Sequence, residues 1–339
     1  NNSACLLNQT KLVFVLTQEK VLLVEAGPKD TILGSKWLQW KIHMPAALTY
    51  NLCDDKYNWY YHTLPQKHVN NRVMYWPRGR VWGGSSSLNA MAYVRGHAED
   101  YNRWEKEGAG GWSYEDVLPY FKKAQSHSEG GDEYRGGEGP LHVTHYSGQG
   151  VLDQAWLKAG QQAGLIMSYD ELLNVKSPGY PLTEDMNGRQ QEGVGRMDST
   201  VHKGMRWSAA SAYLHPALAR ENLSTMNSVL VTRVLFEGKK AVGIEVVENG
   251  VTKKIRAGEV ILSGGAINSP QLLLLSGVGE TGQLREVGVD PVHHLPGVGQ
   301  NLQDHLEVRS SNFNQIESIT FFFLDLHGAT MQAACIAAE

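Results

Sequence analysis

The stretch Gly79-Arg80-Val81-Trp82-Gly83-Gly84-Ser85-Ser86-Ser87-Leu88-Asn89 concentrates residue types suited to holding a large polar ligand. Adjacent glycines lack Cβ and let backbone approach a flat or charged molecule, while the serines and Asn89 offer donors and acceptors around that approach. Charge agrees with this. Between Asn71 and Ala98 stand Arg72, Arg78, Arg80 and Arg95 with no Asp or Glu, a local positive field that suits an anionic guest. A glycine-serine surface loop with solvated arginines has the same composition, so composition alone leaves both readings open.

A second candidate is Glu25. It closes the apolar run Val21-Leu22-Leu23-Val24 and is followed by Ala26-Gly27, which reads as a buried parallel strand ending in an acid. In a dinucleotide-binding fold the acid closing the second strand accepts hydrogen bonds from the adenosine ribose. A solvated loop acid is the commoner fate of such a residue.

The elements that must position these residues follow from periodicity and punctuation. A dinucleotide fold needs a strand before Val21 and a GxGxxG turn after it, yet no glycine precedes Gly27. The expectation is therefore a sheet without its first strand, with Leu12 to Leu16 as a substitute. Residues 98–125 carry helical periodicity broken at Gly108 to Gly111, and Gly150 to Gly164 reads as an amphipathic helix. Strands are expected at 140–143, at Val229 to Phe236, at Ala241 to Val247 and at Val260 to Leu262, with turns at Glu237-Gly238 and Asn249-Gly250. In Gly264 to Gly279 a strand feeds a glycine turn and a helix, with Ser269 as N-cap, Pro270 in the first turn and Gly277 at the end. Any of Trp37, Trp40 and Trp59 could line a site, but ordinary core packing is the commoner fate of each.

Composition limits the partners. The 339 residues hold 31 Lys+Arg against 35 Asp+Glu, a formal charge of −4, so no nucleic-acid partner is indicated. Cys5, Cys53 and Cys335 are far apart without a CxxC pair, which argues against a disulfide framework or a cysteine metal site. No apolar run reaches the ~18 residues that a spanning helix needs, and the first twenty residues read as neither a signal nor a transit peptide.

The wording of three stretches resembles one family. GRVWGGSSSLN continuing into Ala90-Met91-Ala92-Tyr93-Val94-Arg95-Gly96 is similar to the first signature of the glucose-methanol-choline (GMC) flavin oxidoreductases, Gly264 to Gly279 to the second, and Pro296 to His305 to a stretch near the flavin ring. Through YWPRGRVWGGSSSLNAMAYVRGHAEDY the resemblance is strongest to the family's choline-oxidising members, and it runs from about Val21 to about Glu307.

That resemblance implies an α/β fold. An FAD-binding, Rossmann-like GMC region would occupy 1–305, lacking its first strand and GxGxxG turn and carrying an insertion at about 165–179. An incomplete antiparallel-sheet substrate region would begin in 306–339. FAD would be held by Glu25 at the ribose, by the backbone of Val231 at the adenine, and by Arg80, Val81, Gly83, Gly84, Ser85, Ser86, Asn89, Ala90, Met91 and Ala92. Binding would be noncovalent, because Leu88 stands where some relatives carry a linking histidine. Glu307 would face the trimethylammonium group of choline, a cation with no N–H to donate and therefore recognised by negative charge and aromatic faces. No catalytic residue is assigned, since the histidine motif that supplies the base is absent from this sequence. The implied activity is oxidation of choline to betaine aldehyde, with electrons passed to a quinone at the mitochondrial inner membrane. A dehydrogenase for another alcohol and a truncated, non-enzymatic remnant are the alternatives.

Overall fold

The computed structural model describes residues 3–7, 19–52, 54–145, 150–163 and 180–304. The sequence reading treats 1–305 as one region. The chain forms two compact units, Asn1–Asn89 with Ala209–Glu339, and Ala90–Ser208.

In the first unit a parallel sheet is built from β1 (Ser3–Leu7), β2 (Lys20–Glu25), β3 (Leu223–Asn227) and β7 (Glu259–Leu262), in the order β3-β2-β1-β7. Between β3 and β7 the chain forms an antiparallel meander of β4 (Leu230–Glu237), β5 (Lys240–Glu248) and β6 (Val251–Arg256). Counting only the parallel strands, the order is third, second, first, fourth, which is the start of the doubly wound arrangement that binds dinucleotides at its carboxyl edge.

β2 is apolar on both faces because both are covered. Val21 and Leu23 pack with Trp82, Ala210, Leu214 and Ala217. Leu22 and Val24 point the other way, into a cluster with Val229, Val234, Ile244, Val246 and Leu272. Alternate side chains of a strand leave on opposite faces, so one short run joins two cores.

Two expectations are corrected. The first strand is present: β1 pairs in parallel with β2 on one side and β7 on the other, Ala4 facing both Val21 and Glu259. Strand pairing needs backbone and compact side chains, whereas the missing glycines belong to the turn that follows. The proposed substitute, Leu12 to Leu16, lies outside the described residues, as does the insertion at 165–179. The helix assigned to start at Ser269 begins earlier, running Gly265–Leu275 with Pro270 inside it. Ser269 Oγ accepts from the Gly264 N–H at 2.8 Å, so the hydroxyl braces the turn from within the helix.

The second unit holds helices Ala98–Lys106 and Tyr114–Ala124, each opened by a capping box, His97 with Asp100 and Ser113 with Asp116. Helix Val151–Ala163 follows. Short strands fill the rest, among them Gln125–His127 beside Leu141–Val143 and Ala92–Tyr93 beside Asp198–Ser199. Buried Asp198 receives His127 Nε2 at 3.2 Å and His145 Nδ1 at 2.9 Å, which closes this core with a shared carboxylate.

Candidate functional site

The carboxyl ends of β2, β3 and β7 lie on one edge of the parallel sheet. There the chain beyond β3 stays fastened to the end of β2: the Ser228 N–H donates to the Gly27 carbonyl at 2.9 Å and the Val229 N–H to the Glu25 carbonyl at 3.0 Å. A cleft of about 530 Å³ opens at this edge. Val24 and Ala26 form one wall, Val229 to Thr232 a second, and Leu262, Gly264, Asn268 and Gln271 the floor of the following turn and helix. Val231 is thus in the cleft.

Glu25 alternates to the other face of β2 and is 2% exposed. Its Oε1 accepts from the Gly27 N–H at 2.8 Å. Burial pushes its carboxyl up to about 8, opposed by the Gly27 amide, the Arg80 charge and the Ala26 amide. Ligand hydroxyls donating to this carboxyl would favour its ionised form.

Gly27 fixes where the arginine loop comes. A Cβ on this residue would stand 1.8 Å from the Arg80 carbonyl oxygen and 2.6 Å from the Val81 nitrogen, so two backbones touch here and no side chain fits. The loop then turns sharply through Gly83 at φ 87° and Gly84 at φ 56°, conformations that favour glycine. Apolar Val81 and Leu88 anchor it from beneath, packed with Ile42 and Tyr57.

The serines are committed to the loop itself. Ser85 Oγ accepts from the Gly79 N–H at 3.1 Å. Ser86 Oγ donates to the Gly83 carbonyl at 2.6 Å and accepts from the Ala209 N–H at 2.8 Å. Ser87 Oγ donates to the Trp82 carbonyl at 2.7 Å. The Asn89 N–H reaches the Ser85 carbonyl at 2.8 Å, and its residue is exposed. Arg80 donates to the Asp55 carbonyl and lies over the Trp59 ring, 5.5 Å from its centroid. Composition pointed to hydroxyls offered to a ligand; the structure shows a loop whose serine hydroxyls hold its shape.

Ala90, Met91 and Ala92 belong to the second unit. Ala90 and Ala92 are exposed, whereas Met91 is buried with φ 64° and its carbonyl accepts from the Thr200 N–H at 2.8 Å. His305 and Glu307 lie outside the described residues.

Sequence reasoning passed over an aromatic pair. Trp59 and Tyr61 both line the cleft, stacked at 5.9 Å with 10° between their planes, and Tyr61 Oη accepts from Asn268 Nδ2 at 2.6 Å. Burial raises the Tyr61 hydroxyl above its usual value, against the Asn268 bond and the Arg80 and Arg78 charges. Their spacing was the available signal, since residues two apart in an extended segment share a face. Trp37 and Trp40, expected in the core, are 76% and 39% exposed.

The sequence pattern of GMC oxidoreductases matches residues 21–307. The chain belongs to the GMC oxidoreductase family. This GMC chain is 63% identical over 290 residues to the mitochondrial choline dehydrogenase of Mus musculus, covering 85% of itself and 46% of that protein. It therefore spans about half the length of the curated relatives it matches. Among solved structures it is similar to pyridoxine 4-oxidase from Mesorbium loti, with a TM-score of 0.78, 31% identity, and coverage of 90% of this chain and 57% of that one. It is also similar to an FAD-dependent oxidoreductase from Chaetomium thermophilum, with a TM-score of 0.77, 29% identity, and coverage of 90% and 52%.

FAD is the cofactor of this family, and the residues present fit its adenosine end. The cleft has the size of a small-molecule site, aromatic rings line it, and a buried carboxyl closes the adjoining strand. Attachment is noncovalent: the residue at the linking position is Leu88, 3% exposed within the apolar cluster.

Proposed function

We propose that this chain forms the FAD-binding part of an enzyme that oxidises choline to betaine aldehyde. The observation that carries the reading is Glu25, sealed at the end of β2 beside a backbone contact between Gly27 and Arg80–Val81, in a chain 63% identical to a choline dehydrogenase. When bound, FAD supplies a hydride acceptor for the alcohol carbon.

Each residue has a physical task. Glu25 accepts from the ribose hydroxyls, which favours its ionised form and releases the proton that burial retains at neutral pH. The backbone of Val231, with Trp59 and Tyr61 across the cleft, holds the adenine. Arg80 gives positive charge beside an anionic cofactor, and the backbone from Val81 through Gly83, Gly84, Ser85 and Ser86 to Asn89, Ala90, Met91 and Ala92 forms the surface on which it lies. Glu307 faces the trimethylammonium group of choline. We assign no residue here as the base. The FAD-binding region is proposed to cover 1–305, with a substrate-binding region starting at 306, and the compartment to be the mitochondrion, at its inner membrane, with a quinone as electron acceptor.

The test is spectroscopic. Purified chain incubated with FAD and desalted should retain a flavin band at about 350–500 nm that denaturation releases completely. Choline titrated calorimetrically into the loaded chain should bind, and Glu307→Gln should weaken that binding about tenfold. A chain that returns colourless from desalting sinks the cofactor reading, and unchanged choline affinity in Glu307→Gln favours a neutral alcohol as substrate.

A further inference from the structure

The segment following β2 presents apolar side chains outward. Ile32 and Ser35 pair through their backbones and close a tight turn whose two central residues, Leu33 at φ 49° and Gly34 at φ 75°, both have positive φ. Asn-Gly is the pair that suits such a turn, and a leucine in the left-handed region is strained. This leucine is also 95% exposed, so no described residue packs over it to compensate the strain. Beside it Trp37 is 76% and Leu38 55% exposed. The short helix Trp40–His43 turns Ile42 and His43 inward and leaves Trp40 outside, edge-on to exposed Tyr50 at 5.4 Å.

Charge within this segment has one sign. From Thr31 to Cys53 there is no Asp or Glu. Lys29 is exposed, with its ammonium 5.1 Å from the Trp82 ring, and Lys41 reaches over Tyr50 at 5.7 Å. Lys36 is turned away, donating to Ser211 Oγ at 2.9 Å. Leu33 at the turn tip and the Trp37 indole are the most exposed of these side chains. Indole and phenol rings with polar edges, apolar tips and lysines without acids are the components that settle at the head-group level of a bilayer with anionic lipids.

We propose that the 32–50 surface is the lipid-contacting face of this protein, with Leu33 and Trp37 entering the acyl boundary and Lys29 and Lys41 meeting anionic head groups. The proposal deepens the membrane association proposed above, and names the residues that carry it.

The test is co-sedimentation of the full chain with vesicles of about 80% phosphatidylcholine and 20% cardiolipin, beside pure phosphatidylcholine vesicles. The chain should pellet with the anionic vesicles and less with the neutral ones. The double variant Leu33→Asn, Trp37→Ser should lower the partition coefficient about tenfold or more. Its turn should be no weaker, because asparagine tolerates the conformation that strains leucine, and a thermal melt at or above that of the parent shows that folding is intact. Val287→Ser, at another site that is 74% exposed, should pellet like the parent. A parent chain that stays in the supernatant overturns both this proposal and membrane association. A parent that binds while the folded double variant binds equally well overturns this surface alone. A loss accompanied by conversion of a dimer to a monomer assigns the surface to a second copy of the chain and overturns the lipid reading.

Discussion

At the end of β2 a single ionisable side chain is enclosed, and its carboxyl is pushed up to about 8 by burial. Across the Gly27 contact, the 79–89 loop has its serine hydroxyls paired, Ser85 to Gly79, Ser86 to Gly83 and Ala209, Ser87 to Trp82. One region holds a carboxyl whose charged form burial disfavours, and the other a loop whose serine hydroxyls are already paired. A binding site needs both kinds, a group that gains from the ligand and a wall that does not have to reorganise to meet it.

Gly27→Ala should break the comparison most severely, because a methyl 1.8 Å from the Arg80 carbonyl forces the two regions apart. We expect a loss of about 3 kcal/mol in denaturant unfolding, with FAD retention abolished. A variant with parental stability and a normal flavin band would mean that the contact yields easily.

Glu25→Gln comes next and should separate affinity from stability. Replacing a charge-assisted acceptor by an amide should weaken FAD about 10- to 100-fold in a fluorescence titration. Without FAD, the same variant should be at least as stable as the parent at pH 8, since the buried charge is gone. The parent's pH dependence has a defined sign. Folding raises the Glu25 carboxyl from 4.5 to about 8, so across that window the folded state keeps a proton that the unfolded chain releases. Stability of the FAD-free protein should therefore fall as pH rises from about 4.5 to 8, by on the order of a few kcal/mol, and Glu25→Gln should flatten the slope. A parent whose stability rises over that range would refute the buried, protonated carboxyl.

Ser86→Ala has the smallest expected effect. It removes the brace between Gly83 and Ala209, for about 1–2 kcal/mol in unfolding and a few-fold in FAD affinity. A loss of affinity as large as that of Glu25→Gln would show that the serine serves the ligand directly and that the two regions are more alike than their bonds suggest.

What the sequence made legible depends on how far each residue's partners lie along the chain. The end of β2 could be read locally, from an apolar run closed by an acid. The loop could be recognised by its glycines and arginines. The task of Ser86 could not, because its partner Ala209 is 123 positions away. β1 was missed because its five residues carry no turn signal, and β3 because its Leu-Ser-Thr-Met-Asn composition is polar for a strand that owes its place to pairing with β2. β6 is almost wholly exposed and includes Lys253 and Lys254, features of an edge strand that resemble a loop in sequence. Trp59 reads as core packing in preference to a site lining, although its position two before Tyr61 places both rings on one face of the cleft.

The meeting of Gly27 with Arg80 and Val81 is made without side chains, and that limits how it can vary. Two backbones in contact offer nothing to trim by a methyl or to lengthen by a carbon, so the junction has no intermediate strengths. A saturation library at position 27 should divide into glycine and failures, whereas one at position 86 should give a graded series. The lineage of this chain can therefore retune its loop in small steps, but at Gly27 it has none to take.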